Sequence, residues 1–378
     1  MHRRWLILAV LFVARTAMGF QYQTVASTAP MLLRELHVSF AEIGTLIGLY
    51  HITGVVLSLP GGLIIRRIGD KNLCAIGLAL MAGGGFVMAQ SDSYAAAFAG
   101  RLASGMGATL FNLVITKMTT DWFARREIVL AMAVILSTWP FGITLGLFTE
   151  PRIADAFGWR AVMLLAGALC LVSLLLVALG YRVPLQQTQL VGTSQTFGLP
   201  PRRVLAPVIA AGVMWGSFNA GLVTYFSFVP SFLAENNGMT LANAGALTGL
   251  ALWIGMVSIP FGGVGTALAM IVAGAPPFAA CILFGLAIGP PPGVITSLPT
   301  RVLASDQRAA GFGVFYTCHF LLQASGPAIG GWLHDIGGGV ASVLFGTALF
   351  LVPLPLLALF RILSMRLPSE SGAPVAGQ

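Results

Sequence analysis

The sequence predicts an all-α polytopic membrane protein, a two-half helical bundle, and three observations support this fold class. Of the 378 residues, 57% are hydrophobic and 8% are charged, whereas a soluble globular chain carries about 25% charged residues. The hydrophobic residues form runs that are long enough to cross a bilayer as helices. Gly and Pro also recur at matching positions in the two halves of the chain, which indicates an internal repeat.

Spanning helices are predicted wherever about 20 consecutive residues are mostly apolar. The first such run continues past Arg15 to Leu33, which is too long for the apolar core of a signal peptide, so we expect a spanning helix there. The predicted spans cover residues 5–33, 40–65, 72–90, 94–120, 128–149, 159–180, 204–233, 241–263, 278–298, 309–333 and 340–362.

The spans fall into two predicted bundles. Residues 1–180 hold six spans, and residues 204–362 hold the others. Residues 181–203 are polar and rich in Gln, Thr and Pro, which predicts a cytoplasmic linker between the bundles. Residues 363–378 are predicted to be a disordered tail because they are short of apolar residues that a core would bury.

The two bundles repeat each other in sequence. Ser39–Leu49 aligns with Thr240–Leu250, and Pro30 matches Pro230. Chance similarity between apolar helices is the alternative, but Gly and Pro positions are harder to match by accident than Leu positions. Two parallel six-helix halves with a solute site between them are typical of one large transporter architecture.

The second half is shorter than the first where its ninth helix is expected. The apolar piece at 264–274 contains 11 residues; at about 1.5 Å per residue it covers about 16 Å, too little for a hydrocarbon core of about 30 Å. We expect a bundle of nominally 12 helices with a truncated helix 9 that packs as a half-span. Fusion of helices 8 and 9 is the alternative, and it would place Arg301 and Arg308 on the outer side.

Basic residues between the spans predict the orientation of the chain. Lys and Arg accumulate on the cytoplasmic side of membrane proteins, and the bias is satisfied when both termini are cytoplasmic. Arg34, Arg152 and Arg160 then lie outside. The net charge of +8 therefore indicates topology in a bacterial inner membrane rather than binding of nucleic acid. The basic residues on the predicted cytoplasmic side include Arg3, Arg4, Arg66, Arg67, Lys71, Arg125, Arg126, Arg182, Arg202, Arg203, Arg361 and Arg366.

The loop after the second span carries the most specific motif. Gly62-Leu-Ile-Ile-Arg-Arg-Ile-Gly-Asp-Lys71 resembles the loop motif of the major facilitator superfamily, Gly-x-Leu-x-Asp-Arg-x-Gly-Arg-Lys/Arg. Arg66 stands where the family has Asp, and Asp70 stands at a following basic position, which puts the family's usual gating contact in doubt. The gating-loop residues that the resemblance implies are Gly62, Arg66, Arg67, Gly69, Asp70 and Lys71.

Further stretches strengthen the resemblance. Arg101–Gly107 and Gly158–Arg160 are similar to family motifs in helix 4 and at the start of helix 6. Ala14–Phe20, Asp121–Phe123 and Gly311–Tyr316 are similar to the cyanate/nitroimidazole-permease branch. The resemblance implies a secondary active transporter that works by alternating access, without enzymatic activity. It also implies that helices 1, 4, 7 and 10 line the central path, with 5, 8 and 11 beside them.

Arg15 is the most informative candidate for solute binding. It lies about midway along the first span, where a charge costs roughly 2.5 kcal/mol or more. Gly19, Tyr22 and the adjacent Gln23 lie on the same helical face. Since a guanidinium binds an oxyanion through two parallel hydrogen bonds, we expect Arg15 to attract an anionic solute. A structural arginine bonded to helix-end carbonyls is the alternative.

Other polar and aromatic residues lie on the spans that the resemblance assigns to the path. For Arg101, a structural or snorkelling role is an equal alternative, and the aromatic residues are often packing residues. His51 is expected to be structural, and Trp139-Pro140 is expected to be a proline kink. The predicted solute-binding residues are Arg15, Tyr22, Gln23, Arg101, Asn112, Trp215, Asn219, Tyr316, His319 and Gln323.

Acidic residues, including Glu150, are all predicted to lie in loops or at helix ends. An embedded carboxylate is what a proton-coupled cation exporter usually needs. We therefore expect a small anionic or polar solute, with any proton coupling through His319, His51 or the solute itself.

Other function classes find little support in the sequence. No phosphate-binding loop or metal cluster is present, so no cofactor is expected. Beyond the solute and the lipid bilayer no partner is expected, and the chain is predicted to be a monomer. An efflux permease for hydrophobic compounds and a non-transporting or degenerate membrane protein are the alternatives. Four cysteines within apolar runs are predicted to be buried hydrophobic residues, Cys74, Cys170, Cys281 and Cys318.

Overall fold

A computed structural model shows the chain as an assembly of helices. It describes residues 2–58, 60–123, 127–181, 200–257, 278, 295–296, 298–304 and 307–366. Every regular element within these ranges is a helix, and eight helical stretches are long and apolar enough to cross a membrane. The predicted class, an all-α polytopic membrane protein, is confirmed.

The elements follow the predicted spans closely. The first half contains α1 (His2–Ser27), α2 (Ala29–Glu35), α3 (Phe40–Leu57), α4 (Gly61–Ile68), α5 (Asp70–Ala89), α6 (Tyr94–Phe123), α7 (Ile128–Phe157) and α8 (Trp159–Gly180). The second half contains α9 (Arg202–Asn237), α10 (Leu241–Val257), a 3₁₀ helix (Leu298–Arg301), α11 (Arg308–Leu351) and α12 (Pro353–Met365).

Two predicted spans are interrupted near proline. The first is broken at Thr28, and Pro30 occupies the first turn of α2, where its missing N–H removes no helical hydrogen bond. The second ends at Leu57, and the short helix α4 starts after Pro60. The beginning of α3 is set by Ser39 and Glu42, which form a capping box with hydrogen bonds of 3.2 and 2.8 Å.

The last two predicted spans meet at Gly338. This residue has φ 71° and ψ −176°, a conformation that glycine adopts without strain, inside the continuous helical run of α11. The hydroxyl of Ser342 donates to the carbonyl of Gly330 at 2.7 Å, although 12 residues of straight helix would separate them by about 18 Å. The chain therefore reverses direction at Gly338 and forms two antiparallel segments.

The two halves are joined mainly by α3 packed against α11, and also by α7 packed against α10. Gly44 and Gly48 allow the backbones of α3 and α11 to touch. A Cβ atom at Gly44 would lie 2.0 Å from the carbonyl oxygen of Pro327, and one at Gly48 would lie 2.0 Å from that of Ala324. Such close approach requires residues without a side chain.

Several predictions fall wholly or largely outside the described residues. The truncated helix 9 at 264–274, most of the linker 181–203, most of the tail 363–378 and most of the span 278–298 lie there, as does Cys281. They stay predictions, as does the division into bundles at 1–180 and 204–362. Cys74 and Cys170 are buried and free, as the sequence predicts, whereas Cys318 is free but only half-buried, which departs from the prediction.

Candidate solute site

Close packing of α1 and α7 forms one wall of the candidate site. A Cβ atom at Gly19 would lie 2.5 Å from the carbonyl oxygen of Trp139, and one at Gly142 would lie 2.3 Å from that of Thr16. Because these two positions are glycine, the helices approach closely enough for Tyr22 to contact Trp139, with ring centroids 5.1 Å apart. Helix α7 continues through Pro140 without ending there.

An aromatic cluster extends from this wall across both halves of the molecule. Tyr22 contacts Tyr50 at 5.4 Å and His51 at 5.1 Å between ring centroids. His51 in turn stacks with Phe320 of α11 at 6.2 Å. The hydroxyl of Tyr22 and Nε2 of His51 are buried and make no hydrogen bond among the described residues. Both atoms therefore retain unused hydrogen-bonding capacity.

The side of the cluster formed by the second half contains His319. Its ring stacks on Trp215 of α9 at 5.7 Å and lies 4.8 Å from Phe320 and 6.2 Å from Tyr316. His319 is 7% exposed, whereas Tyr316 is 39% exposed. The structure thus brings together three of the predicted binding residues, Trp215, Tyr316 and His319.

Arg15 lies in α1 and faces this second half. The phenol of Tyr316 is within electrostatic range of its guanidinium group. Nε and Nη1 of Arg15 are both buried, and neither donates a hydrogen bond to any described residue. The alternative of an arginine satisfied by helix-end carbonyls is therefore not what the described residues of the structure show.

Unlike Arg15, Arg101 donates hydrogen bonds from all three of its guanidinium nitrogens. It is 0% exposed. Its Nε donates to the carbonyl of Leu46 at 3.0 Å, Nη1 to that of Gln21 at 3.0 Å and Nη2 to that of Tyr22 at 2.6 Å. The guanidinium also lies 4.6 Å from the centroid of the Tyr50 ring. This geometry favours the structural alternative, in which Arg101 fastens α1 and α3 to α6.

Glu150 corrects the sequence analysis. All acidic residues were expected outside the spans, yet Glu150 is 0% exposed and lies inside α7. The prediction was wrong because α7 does not end at residue 149 but continues through Pro151 to Phe157. Gln23 of α1 is also buried, and its two amide atoms make no hydrogen bond within the described ranges.

The remaining predicted binding residues are less closely tied to this cluster. Nδ2 of Asn219 donates to the carbonyl of Trp215 at 2.8 Å, within its own helix. Gln323 is buried in α11, and Asn112 is half-buried in α6. No hydrogen bond between described residues links Asn112 or Gln323 to Arg15. Their roles stay predictions.

The predicted gating loop forms contacts within the first half. Lys117 of α6 forms ion pairs with Asp70 and, at 3.2 Å, with Asp121. Nζ of Lys71 donates to the carbonyl of Ala178 at 2.8 Å, at the end of α8. Gly69 has φ 81°, which only glycine adopts easily. Of the other predicted gating-loop residues, Gly62, Arg66 and Arg67 all lie within α4, and Arg67 is exposed.

On the predicted outer side, the motif at Gly158–Arg160 links the start of α8 to the end of α2 and to the turn between α5 and α6. Nε1 of Trp159 and Nη1 of Arg160 both donate to Glu35, each at 2.8 Å. Arg160 also pairs with Asp92 at 2.8 Å. The Trp159 hydrogen bond, together with Arg160, lowers the pKa of Glu35 below its usual value.

Comparison with known proteins identifies the family. The model of the Major Facilitator Superfamily matches residues 11–267. Inner membrane transport protein YajR of Escherichia coli is 24% identical over 376 residues, covering 90% of this chain and 80% of that protein. The nitrite extrusion protein of Bacillus subtilis is 24% identical over 246 residues, covering 63% of this chain and 59% of that protein.

The fold is similar to that of solved transporters. A bacterial homologue of the human lysosomal transporter Spinster, in an inward-facing and occupied conformation, has a TM-score of 0.73 at 13% identity. The likeness covers 97% of this chain and 98% of that one. At 13% identity this likeness shows the fold alone, and the family of the chain is shown by the match to the family model. The chain belongs to the Major Facilitator Superfamily and is a secondary transporter.

Proposed function

We propose that the chain carries a small anionic or polar solute, which Arg15 attracts to a site between the two halves. The observation that carries this proposal is the buried part of the Arg15 guanidinium, where Nε and Nη1 have no acceptor among the described residues. A buried cation without an acceptor is costly, so such arginines usually face a cavity or a partner. An oxyanion supplies two acceptors in the geometry of the guanidinium fork.

Tyr316, the neighbour of Arg15, and the residues clustered with it suit a small anion. Tyr316, His319 and Tyr22 offer hydroxyl and imidazole groups for directional hydrogen bonds, while Trp215 and Trp139 provide apolar walls. No ion pair between described residues involves Arg15, so its positive charge is available to the solute. Gln23, Asn112, Asn219 and Gln323 would adjust selectivity.

The relatives support the anionic character of the solute. The nitrite extrusion protein is named for an anion, and YajR is named as an inner-membrane transport protein. The proposal extends to this chain an inner-membrane location, cytoplasmic termini and a monomeric state, in line with the distribution of its basic residues. Membership of the cyanate/nitroimidazole-permease branch stays a prediction from the motifs.

Uptake by proteoliposomes tests the role of Arg15. We expect saturable counterflow of nitrite or of labelled glucuronate by the wild type, and at least about a 10-fold weaker apparent affinity in Arg15→Ala, since a hydrogen bond to a charged group contributes about 1.5–3 kcal/mol. Arg34→Ala is the matched control because Arg34 is exposed and, among the described residues, its side chain donates to the carbonyl of Pro30 in its own helix. Unchanged uptake by Arg15→Ala would remove Arg15 from the mechanism.

The aromatic cluster favours one other function, the export of a hydrophobic compound. Rings of Tyr22, His51, Trp139 and Phe320 form a continuous aromatic surface that reaches Tyr316, the neighbour of Arg15. In that case hydrophobic dyes would compete for the site and nitrite or glucuronate would not. Competition by both anions and the absence of competition by dyes would favour the anion transporter.

A further inference from the structure

Four arginines at one end of the second half have no role in the transport proposal above. Arg202 and Arg203 begin α9, Arg361 lies in the last turns of α12, and Arg366 follows the last residue of that helix. All four side chains are exposed. No ion pair between described residues includes any of them.

Contacts along α9 show how the last part of the chain is aligned with it. A Cβ atom at Gly339 would lie 3.0 Å from the ring of Phe232, near the end of α9. Further along, the ring centroid of Phe350 lies 5.5 Å from that of Phe218. As the residue numbers rise in one segment they fall in the other. The segment that follows Gly339 therefore runs antiparallel to α9.

The same alignment continues through α12 and brings the arginines together. Phe360 of α12 and Val208 of α9 belong to one buried apolar cluster, and Val204 packs against this cluster. Continued by one or two turns, this register places Arg366 level with Arg202. The four arginines of the two helices therefore form one group on the predicted cytoplasmic side, which we call the arginine group.

The second half offers the arginine group no carboxylate within the described residues. The acidic residues described in that half are Glu235 and Asp335. Both lie at its opposite end, where Glu235 is 3.7 Å from Nε2 of His334 and Asp335 caps the start of α3. In the first half, by contrast, Arg4 pairs with Glu127 at 2.8 Å. The counter-charge of the arginine group is therefore absent from the described part of the chain.

Exposed apolar side chains continue from the arginine group along both helices. Leu354, Arg361 and Met365 share one face of α12 by their helical spacing, and Leu354 and Met365 are 67% and 76% exposed. Arg202 and the exposed Ile209, seven residues apart, share one face of α9. A phospholipid matches both features, because its phosphate meets the arginines while its acyl chains cover the apolar faces. A soluble anion would leave those faces uncovered.

We propose that the arginine group binds the headgroup of an anionic phospholipid, whose acyl chains lie along the exposed faces of α9 and α12. Each guanidinium fork can donate two parallel hydrogen bonds to phosphate oxygens, and clustered arginines attract anionic headgroups. The bound lipid supplies the missing counter-charge and joins the start of α9 to the end of α12. The site does not depend on which solute the chain carries.

Native mass spectrometry of the purified chain, with phosphatidylglycerol as the probe, tests this site. We expect the double variants Arg202→Gln/Arg203→Gln and Arg361→Gln/Arg366→Gln each to weaken the apparent affinity at least about 10-fold, since each arginine that meets an anionic headgroup contributes about fivefold. The control Arg3→Gln/Arg67→Gln removes the same charge from exposed positions on the same predicted side. Its affinity should stay within about twofold of the wild type.

Two further probes separate the lipid from other anions. Phosphatidylcholine with the same acyl chains should bind the wild type and all variants equally, because its headgroup has no net charge. Inorganic phosphate in excess, at matched ionic strength, should leave phosphatidylglycerol bound because it has no acyl chains. Wild-type affinity in both double variants of the arginine group, equal weakening in the control, or displacement of the lipid by inorganic phosphate would each overturn the proposal.

Discussion

Arg15 and Arg101 are both arginines within apolar helices, but their guanidinium groups have different neighbours. Arg101 is held by carbonyls of Gln21, Tyr22 and Leu46, which lie 80, 79 and 55 residues away in sequence. Nε and Nη1 of Arg15 have no such acceptors in the described part of the chain. The environment of each guanidinium, rather than its position within a span, is therefore the basis for predicting a structural role for Arg101 and solute binding by Arg15.

Replacement of Arg101 should affect stability before it affects solute recognition. Arg101→Ala removes three buried hydrogen bonds from a charged donor, which contribute about 1.5–3 kcal/mol each, so we expect a loss of about 3 kcal/mol or more in the free energy of unfolding. Thermal unfolding in detergent measures this, with Arg34→Ala as the exposed control. An unchanged melting temperature combined with lost uptake would instead support direct solute binding by Arg101.

At the scale of the element, α3 begins with a cap that comes from the other half. Oδ1 and Oδ2 of Asp335 accept hydrogen bonds from the backbone N–H groups of Phe40 at 2.9 Å and Ala41 at 2.8 Å. His334 stacks on the ring of Phe40 with centroids 3.6 Å apart. A carboxylate at a helix N-terminus satisfies free donors and interacts favourably with the helix dipole. This cap therefore fastens α11 to α3 on the predicted outer side.

Removal of this cap should loosen the first turn of α3. We expect Asp335→Ala to speed amide hydrogen exchange at residues 40–42, because the carboxylate–dipole interaction, about 0.3–1 kcal/mol, and two hydrogen bonds are lost. Exchange followed by mass spectrometry measures this, with Asp155→Asn as an exposed control on the same predicted side. Equal exchange in both variants would show that Ser39 and Glu42 cap the helix alone.

Local signals explain which elements were predictable. Helix α8 was predicted from 159 to 180 and has those bounds, because Gly158 interrupts the backbone with φ 82° and a strongly apolar run follows it. The burial of Glu150 was not predictable, since it depends on Gln23 and Ser27 in a distant helix. The aromatic cluster was likewise predicted only in part, with His51 and Trp139 left outside the list of binding residues. Their contacts with Tyr22 arise from the packing of separate helices.

At the scale of the whole molecule, backbone contacts hold the two halves together on the predicted outer side. Gly44 and Gly48 of α3 lie against carbonyls of α11, and a Cβ atom at Gly331 would lie 2.0 Å from the carbonyl oxygen of Phe40. Transporters of this architecture expose their site by rigid rocking of one half against the other. These glycine contacts are therefore the ones that must separate when the predicted outer side opens.

A single methyl group at Gly48 should shift that conformational balance. The added Cβ of Gly48→Ala would lie 2.0 Å from a backbone oxygen of Ala324, so no side-chain rotation relieves the clash and the helices must move apart. Elsewhere in a helix, Gly→Ala stabilises by about 0.5–1 kcal/mol. Gly83→Ala in α5 is the matched control, because no atom lies within 4 Å of the added Cβ there.

Distances between spin labels on the two halves measure the shift. Labels at the exposed positions Arg34 and Ile336 report the separation of the halves on the predicted outer side, in a background without the native cysteines. We expect Gly48→Ala to increase the population at the longer distance, because only the closed conformation contains the clash. Gly83→Ala should leave the distribution unchanged. If both variants gave the wild-type distribution, the contact of α3 with α11 would not control opening, and the rocking of the halves would have to be resisted elsewhere.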